Sequence, residues 1–211
     1  MTGIDWREQR KSGLAAIGIS LVIGFGLWVA MIRAIAPLAG MDDLSARMLV
    51  ALKCVAMAAL FCLFTGTEAV AHERLQSPAF DPLAGHETRR LRVNKQYLQN
   101  TLEQFVIFAV GLFGLAAYSA DGAAMRLVVA TTVVWVLFRF AFWIGYHKSA
   151  AMRAAGAPGL LVGQLLLLYV AVRVGGDVAG DAGAWATLIV YLAFEALLFW
   201  HTRGMTEEAR A

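Results

Sequence analysis

The sequence is poor in charge. Only 16% of its 211 residues are Asp, Glu, Lys or Arg, against about a quarter in ordinary soluble domains. Hydrophobic residues make up 60% and the mean hydropathy is +0.65. A chain so short of charge and so rich in apolar residues excludes water as the solvent for much of its surface. Cysteine is scarce as well, with only Cys54 and Cys62, both inside one apolar block. Eight residues of helix separate their Cα atoms by ~12 Å, too far for a disulfide. Neither belongs to a Cys-x-x-Cys or Cys/His spacing, so no metal site is expected. The basic balance, with a pI of about 9.1, is accompanied by no basic helix and no RNA-binding motif, so no nucleic-acid partner is expected.

The apolar residues are grouped in long blocks, and a hydrocarbon core takes roughly 20 residues of helix to cross. Six blocks qualify or nearly so, at about 13–36, 46–70, 96–119, 125–147, 157–174 and 183–202. The first is longer than a signal-peptide core of about 7–15 residues and reads as a retained helix. Turn residues mark the connections, among them Gly40, Gly122, the Pro158-Gly159 pair and Gly175-Gly176-Asp177. The expected fold class is therefore all-α: an integral membrane bundle of about six transmembrane helices, with a lipid bilayer as its surroundings.

The charges alternate from loop to loop. The N-terminal tail carries Arg7, Arg10 and Lys11. The connection after the second span carries Arg74, Arg89, Arg90, Arg92 and Lys95. Lys148 and Arg153 follow the fourth span, and Arg203 and Arg210 follow the sixth. The intervening connections carry acids: Asp42, Asp43, Asp121, Asp177 and Asp181. Cationic loops stay in the cytoplasm, so both termini are expected there, as in a bacterial inner membrane. The long connection at about 71–95, with His72 and His86, then faces the cytoplasm too, and loops of that length are commonly functional.

Ionisable residues inside spans are expensive and point to function by default. Arg33, Glu68 and Lys53 lie where a long side chain reaches an interface, and Glu195 awaits a neighbouring helix. Glu103 and Arg139 differ. Counted from the cytoplasmic ends of their spans at 1.5 Å per residue, they lie ~13 Å and ~12 Å deep. Equal depth on consecutive antiparallel helices predicts that they pair. Gln96, Asn100 and Glu103 share one helical face, with Gln99 and Gln104 flanking it. Arg139 and Tyr146, seven apart, share another, and Arg153 stands past the turn. Amides, a carboxylate, a phenol and guanidiniums suit a small zwitterionic or anionic ligand. Apolar walls suit a lipophilic second partner.

The stretch Arg92-Val-Asn-Lys-Gln96-Tyr-Leu-Gln-Asn100-Thr-Leu-Glu103-Gln104 resembles the hallmark helix of the MAPEG family of membrane proteins in eicosanoid and glutathione metabolism, in its bacterial form. Asn100 and Glu103 match an Asn-x-x-Glu motif, and Gln96 stands where eukaryotic members carry arginine. Arg139 and Tyr146 match a second motif on the next helix. Arg153 has the spacing of an arginine that activates the glutathione thiol, and Arg74 corresponds loosely to an arginine after the first family helix. The resemblance covers about 46–174, a four-helix core with one added helix at each end, in segments 1–45 and 175–211. It implies a homotrimer with glutathione, or a similar thiol, as co-substrate and a lipophilic small molecule as second substrate. Gln96, Gln99, Asn100, Glu103, Arg139 and Arg74 would hold the thiol ligand, while Arg153 and Tyr146 would act in catalysis. The activity implied is a glutathione-dependent transferase or peroxidase. A non-catalytic lipid-binding scaffold and a transporter remain alternatives.

Overall fold

The computed structural model describes residues 6–208, with side chains through residue 202. Arg210 and the side chain of Arg203 lie outside the described residues. All regular structure among the described residues is helical. Five helices are long and apolar enough to cross a membrane. They are α1 (Trp6–Ala34), α2 (Leu44–Leu75), α3 (Arg89–Ala117), α4 (Met125–Lys148) and α5 (Pro158–Glu208). The chain divides into two compact units, Met1–Leu166 and Leu167–Ala211, and the boundary falls inside α5.

Local chemistry sets where helices begin. Thr88 is extended and its hydroxyl accepts from the Leu91 amide at 3.0 Å, capping α3. Before α4, the Asp121 carboxylate accepts from the Ala124 amide at 2.8 Å. Ser149 caps the short helix Ala150–Arg153, accepting from the Met152 amide at 3.1 Å.

In the first unit, α2, α3 and α4 pack about a core of Ala51, Ala58 and Cys62 from α2, Phe108, Leu112 and Ala116 from α3, and Met125, Val128 and Trp135 from α4. Small residues on α2 let helix backbones approach closely, as membrane helices require. The Phe108 and Trp135 rings stack with centroids 4.4 Å apart. Residues Ala59–Phe64 of α2 form a π-helical turn. Tyr97 of α3 donates its hydroxyl to the Cys62 carbonyl within that turn, at 3.2 Å. A carbonyl left by the altered backbone register is thereby satisfied. Both cysteines are free thiols.

Helix α1 lies along α4. Trp28 donates to the Thr131 hydroxyl at 3.0 Å, and Arg126 donates to the Ile32 carbonyl at 3.1 Å. At Gly24 the helices come so close that a side chain would run into the Phe138 ring. The outward faces carry Val22, Ile23, Phe25, Leu52, Phe64, Val106 and Val110, all exposed. Such surfaces are natural to a protein solvated by lipid.

The two apolar blocks expected at 157–174 and 183–202 lie on the two arms of α5, which is broken at Ala179 and Gly180. Gly180 has φ of 60°, a conformation glycine adopts at little cost. The break corrects the turn expected at Gly175-Gly176-Asp177, because those residues stay helical. Gly175 and Gly183 instead let the two arms touch backbone to backbone, where any side chain would collide with the opposite carbonyl.

Candidate functional site

Helix α3 has two faces, and its apolar residues set their phase. Tyr97, Thr101, Gln104, Phe108 and Leu112 follow helical spacing and are buried. Gln96, Gln99 and Glu103 lie on the other side and are exposed, with Asn100 half-buried between the faces.

Arg139 is 0% exposed. Its Nη1 donates to Gln104 Oε1 at 2.8 Å, and its Nη2 donates to Thr101 Oγ1 at 2.8 Å and Asn100 Oδ1 at 3.1 Å. The guanidinium carbon also lies 4.5 Å from the Phe142 ring centroid and 5.7 Å from that of Tyr97. Neutral acceptors and aromatic faces thus accommodate a buried cation. The expected Glu103–Arg139 pair does not form within the chain: Glu103 faces outward and accepts from Gln99 Nε2 at 3.3 Å. Depth was matched, but rotation about the helix axis was not. Three residues beyond Asn100, Glu103 is carried outward, whereas Gln104, one turn beyond Asn100, lies on the buried side. Gln104 Nε2 also donates to Asn100 Oδ1 at 3.1 Å.

From Arg139 a ladder of rings and cations runs along the end of α4. Phe142 and Tyr146 rings lie 5.5 Å apart, and the Arg153 guanidinium carbon lies 5.1 Å from the Tyr146 centroid. Tyr146 is half-buried and Arg153 is exposed. Two glycines press the Arg153 segment onto α4. A side chain at Gly145 would collide with the Met152 carbonyl, and one at Gly156 with the backbone of Phe142. The ladder therefore links a buried cation to an exposed one.

A third set of contacts fixes Tyr97. Trp143 stacks on it with centroids 4.8 Å apart at 12°. Buried Asn94 accepts at Oδ1 from Trp143 Nε1 at 3.0 Å, lies 3.0 Å from His147 Nε2, and donates to the Ala69 carbonyl at 3.4 Å. The sequence reading passed over Asn94, Thr101, Trp143 and the role of Gln104. The buried stripe Tyr97-Thr101-Gln104-Phe108, traced back from the apolar end of α3, carried the signal.

The structure brings Asn100, Arg139, Tyr146 and Arg153 into one connected set and arrays Gln96, Gln99 and Glu103 on the adjoining outer face. Arg74 is not joined to them. It is half-buried near the end of α2, and its Nε has no hydrogen-bond partner. No group of three or more His, Cys, Asp or Glu able to hold a metal occurs among the described residues.

The model of the MAPEG family matches residues 48–176. Helix α1 lies before the matched stretch and the second arm of α5 after it. No curated protein and no solved structure matches the chain.

Proposed function

The chain belongs to the MAPEG family, and from that premise we propose that it is a membrane transferase or peroxidase that uses glutathione, or a similar thiol, on a lipophilic electrophile or hydroperoxide. The observation that carries the proposal is Arg153, held over Tyr146 at the open end of a ladder rooted in buried Arg139.

The residues present fit such a ligand. Arg153 offers an exposed guanidinium to an anion, Tyr146 a phenol, and Gln96, Gln99 and Glu103 exposed amides and a carboxylate for peptide groups and an ammonium. A cation beside a thiol favours its thiolate, the nucleophilic form. In conjugation the thiolate sulfur would bond to the electrophilic carbon and the leaving group would depart with the bonding electrons. Arg139 works differently: its two terminal nitrogens are held by Gln104, Asn100 and Thr101, although its buried Nε has no partner, and it fixes Asn100 at the border of the outer face.

Gln99 and Glu103 are polar, exposed and within a span of the isolated chain. Polar groups at that depth call for cover other than lipid. This supports a homotrimer in which another copy completes the ligand site. The loop charges support both termini in the cytoplasm, and the bacterial form of the hallmark helix favours a bacterial inner membrane. The helices outside the matched stretch are read as additions to a four-helix core.

The test is thiol-dependent conjugation of a chromogenic electrophile by purified protein. Wild type should show it, Arg153→Ala should lose it, and calorimetry should show glutathione binding weakened by Asn100→Ala. Neutral Gln96, where the resemblance leads one to expect arginine, favours a second reading as a lipid-binding scaffold. Absence of both conjugation and thiol binding in wild type would favour that reading instead.

A further inference from the structure

The connection between α2 and α3 presents large apolar side chains outside the spans. Leu75, the last residue of α2, is 65% exposed, and in the connection Phe80 is 66% and Leu83 94% exposed. They stand on an ordered turn. Ser77 accepts from the Ala79 amide at 3.3 Å, starting the 3-10 turn Pro78–Phe80, and the Asp81 carboxylate accepts from the Leu83 amide at 2.9 Å. Ala79 is 1% exposed, so the turn is seated against the protein. At its far end the Thr88 hydroxyl donates to Glu73 at 2.9 Å, and Arg90 pairs with Glu73 at 3.2 Å. The connection is thus tied down at the ends of α2 and α3.

The same stretch is cationic. Residues 71–95 hold Arg74, Arg89, Arg90, Arg92 and Lys95 against Glu73, Asp81 and Glu87. Glu87 neutralises part of this charge through Lys95 at 2.9 Å and Arg92 at 3.3 Å. Arg89 uses Nη2 on the His147 carbonyl, which leaves its charge uncompensated by an acid. Exposed apolar side chains rimmed by arginine and lysine, held at a bilayer surface, match the interfacial binding of an anionic leaflet.

We propose that residues 75–87 form a membrane-surface anchor: Phe80 and Leu83 enter the headgroup region, and the arginines at 89–92 contact the phosphates of anionic phospholipid. Charge complementarity and continuity with the embedded helices select lipid over a second copy of the chain. A bilayer also offers apolar and anionic groups side by side, as the turn requires.

The full chain in nanodiscs tests this with Leu83→Cys carrying an environment-sensitive fluorophore, and Asp42→Cys as an exposed reference on another connection. Signal from the native cysteines is subtracted using labelled wild type. Leu83 is nearly fully exposed, so the substitution leaves the fold intact. A nitroxide near the lipid headgroup should quench the label at 83 severalfold more strongly than at 42, and aqueous iodide should do the reverse. Shielding at 83 should deepen when phosphatidylglycerol replaces part of the phosphatidylcholine. The variant Arg89→Gln with Arg92→Gln should abolish that increment. Equal iodide access at both positions overturns the proposal. So does shielding from iodide without quenching by the lipid nitroxide, which would place a second copy over the turn. Indifference to phosphatidylglycerol overturns the anionic preference.

Discussion

Replacing Arg139 tests the arrangement of the site most directly. Arg139→Met removes three charge-assisted hydrogen bonds and two ring contacts. Asn100 Oδ1 keeps the Gln104 amide as a donor, and the Thr101 hydroxyl is free to turn elsewhere, but Gln104 Oε1 loses its donor. A buried polar group left unpaired costs about 1–3 kcal/mol, and methionine recovers part of the packing. The expected loss is about 3 kcal/mol, on the order of 10 °C in Tm for a chain of this length. Arg139→Lys should sit between, because an ammonium lacks the planar fork that reaches three acceptors. Glu103→Gln is the decisive companion. Glu103 is exposed and does not pair with Arg139, so its stability effect should stay within about 0.5 kcal/mol. Were the two paired, losing the acid would strand a buried charge at a cost of about 3–5 kcal/mol. Thermal unfolding in detergent of both single variants and the double variant gives the cycle. A coupling energy above about 1 kcal/mol between positions 103 and 139 would refute the arrangement described.

Gly145→Ala should push the Arg153 segment off α4, since its methyl meets the Met152 carbonyl. A loss of about 1–3 kcal/mol in unfolding, with conjugating activity falling as in Arg153→Ala, is the expected pattern. Asn94→Ala should cost about 1–2 kcal/mol, because half-buried Trp143 Nε1 loses its buried acceptor; its indole fluorescence should report a loosened stack on Tyr97. Glu87 is held below its ordinary value of 4.5 by hydrogen bonds and charge, Lys95 first and then Arg92. A lowered carboxyl pKa makes its tie to α3 complete above that ordinary value and lost as pH falls through the folded-state value. A spin label at position 83 should therefore gain mobility in acid, and also in high salt at neutral pH.

Much of the fold was legible in the chain because a bilayer imposes a coarse rule. Apolar length alone marks a span, and α1 to α4 extend over or close to the blocks read at 13–36, 46–70, 96–119 and 125–147. Gly180 rather than Gly175-Gly176 makes the break in α5, since glycine composition marks a turn only to within a few residues. The residues of the site were legible in part. Asn100, Arg139, Tyr146 and Arg153 were selected by type and spacing, and they are joined. Arg74 was not joined: half-buried at the end of α2, its Nε has no partner.

Composition and periodicity by themselves marked this chain as a membrane protein, and determined which residues it could not leave in lipid without a reason and at what level along its helix each lies. Only the packed helices decided which of those residues face one another. Depth follows from counting at 1.5 Å per residue, but facing depends on rotation about each helix axis, and one position turns a side chain by about 100°. That rotation is set by Phe108, Leu112 and Trp135 closing the core. It gave Arg139 the neutral partners Thr101 and Gln104 and left Glu103 on the outside.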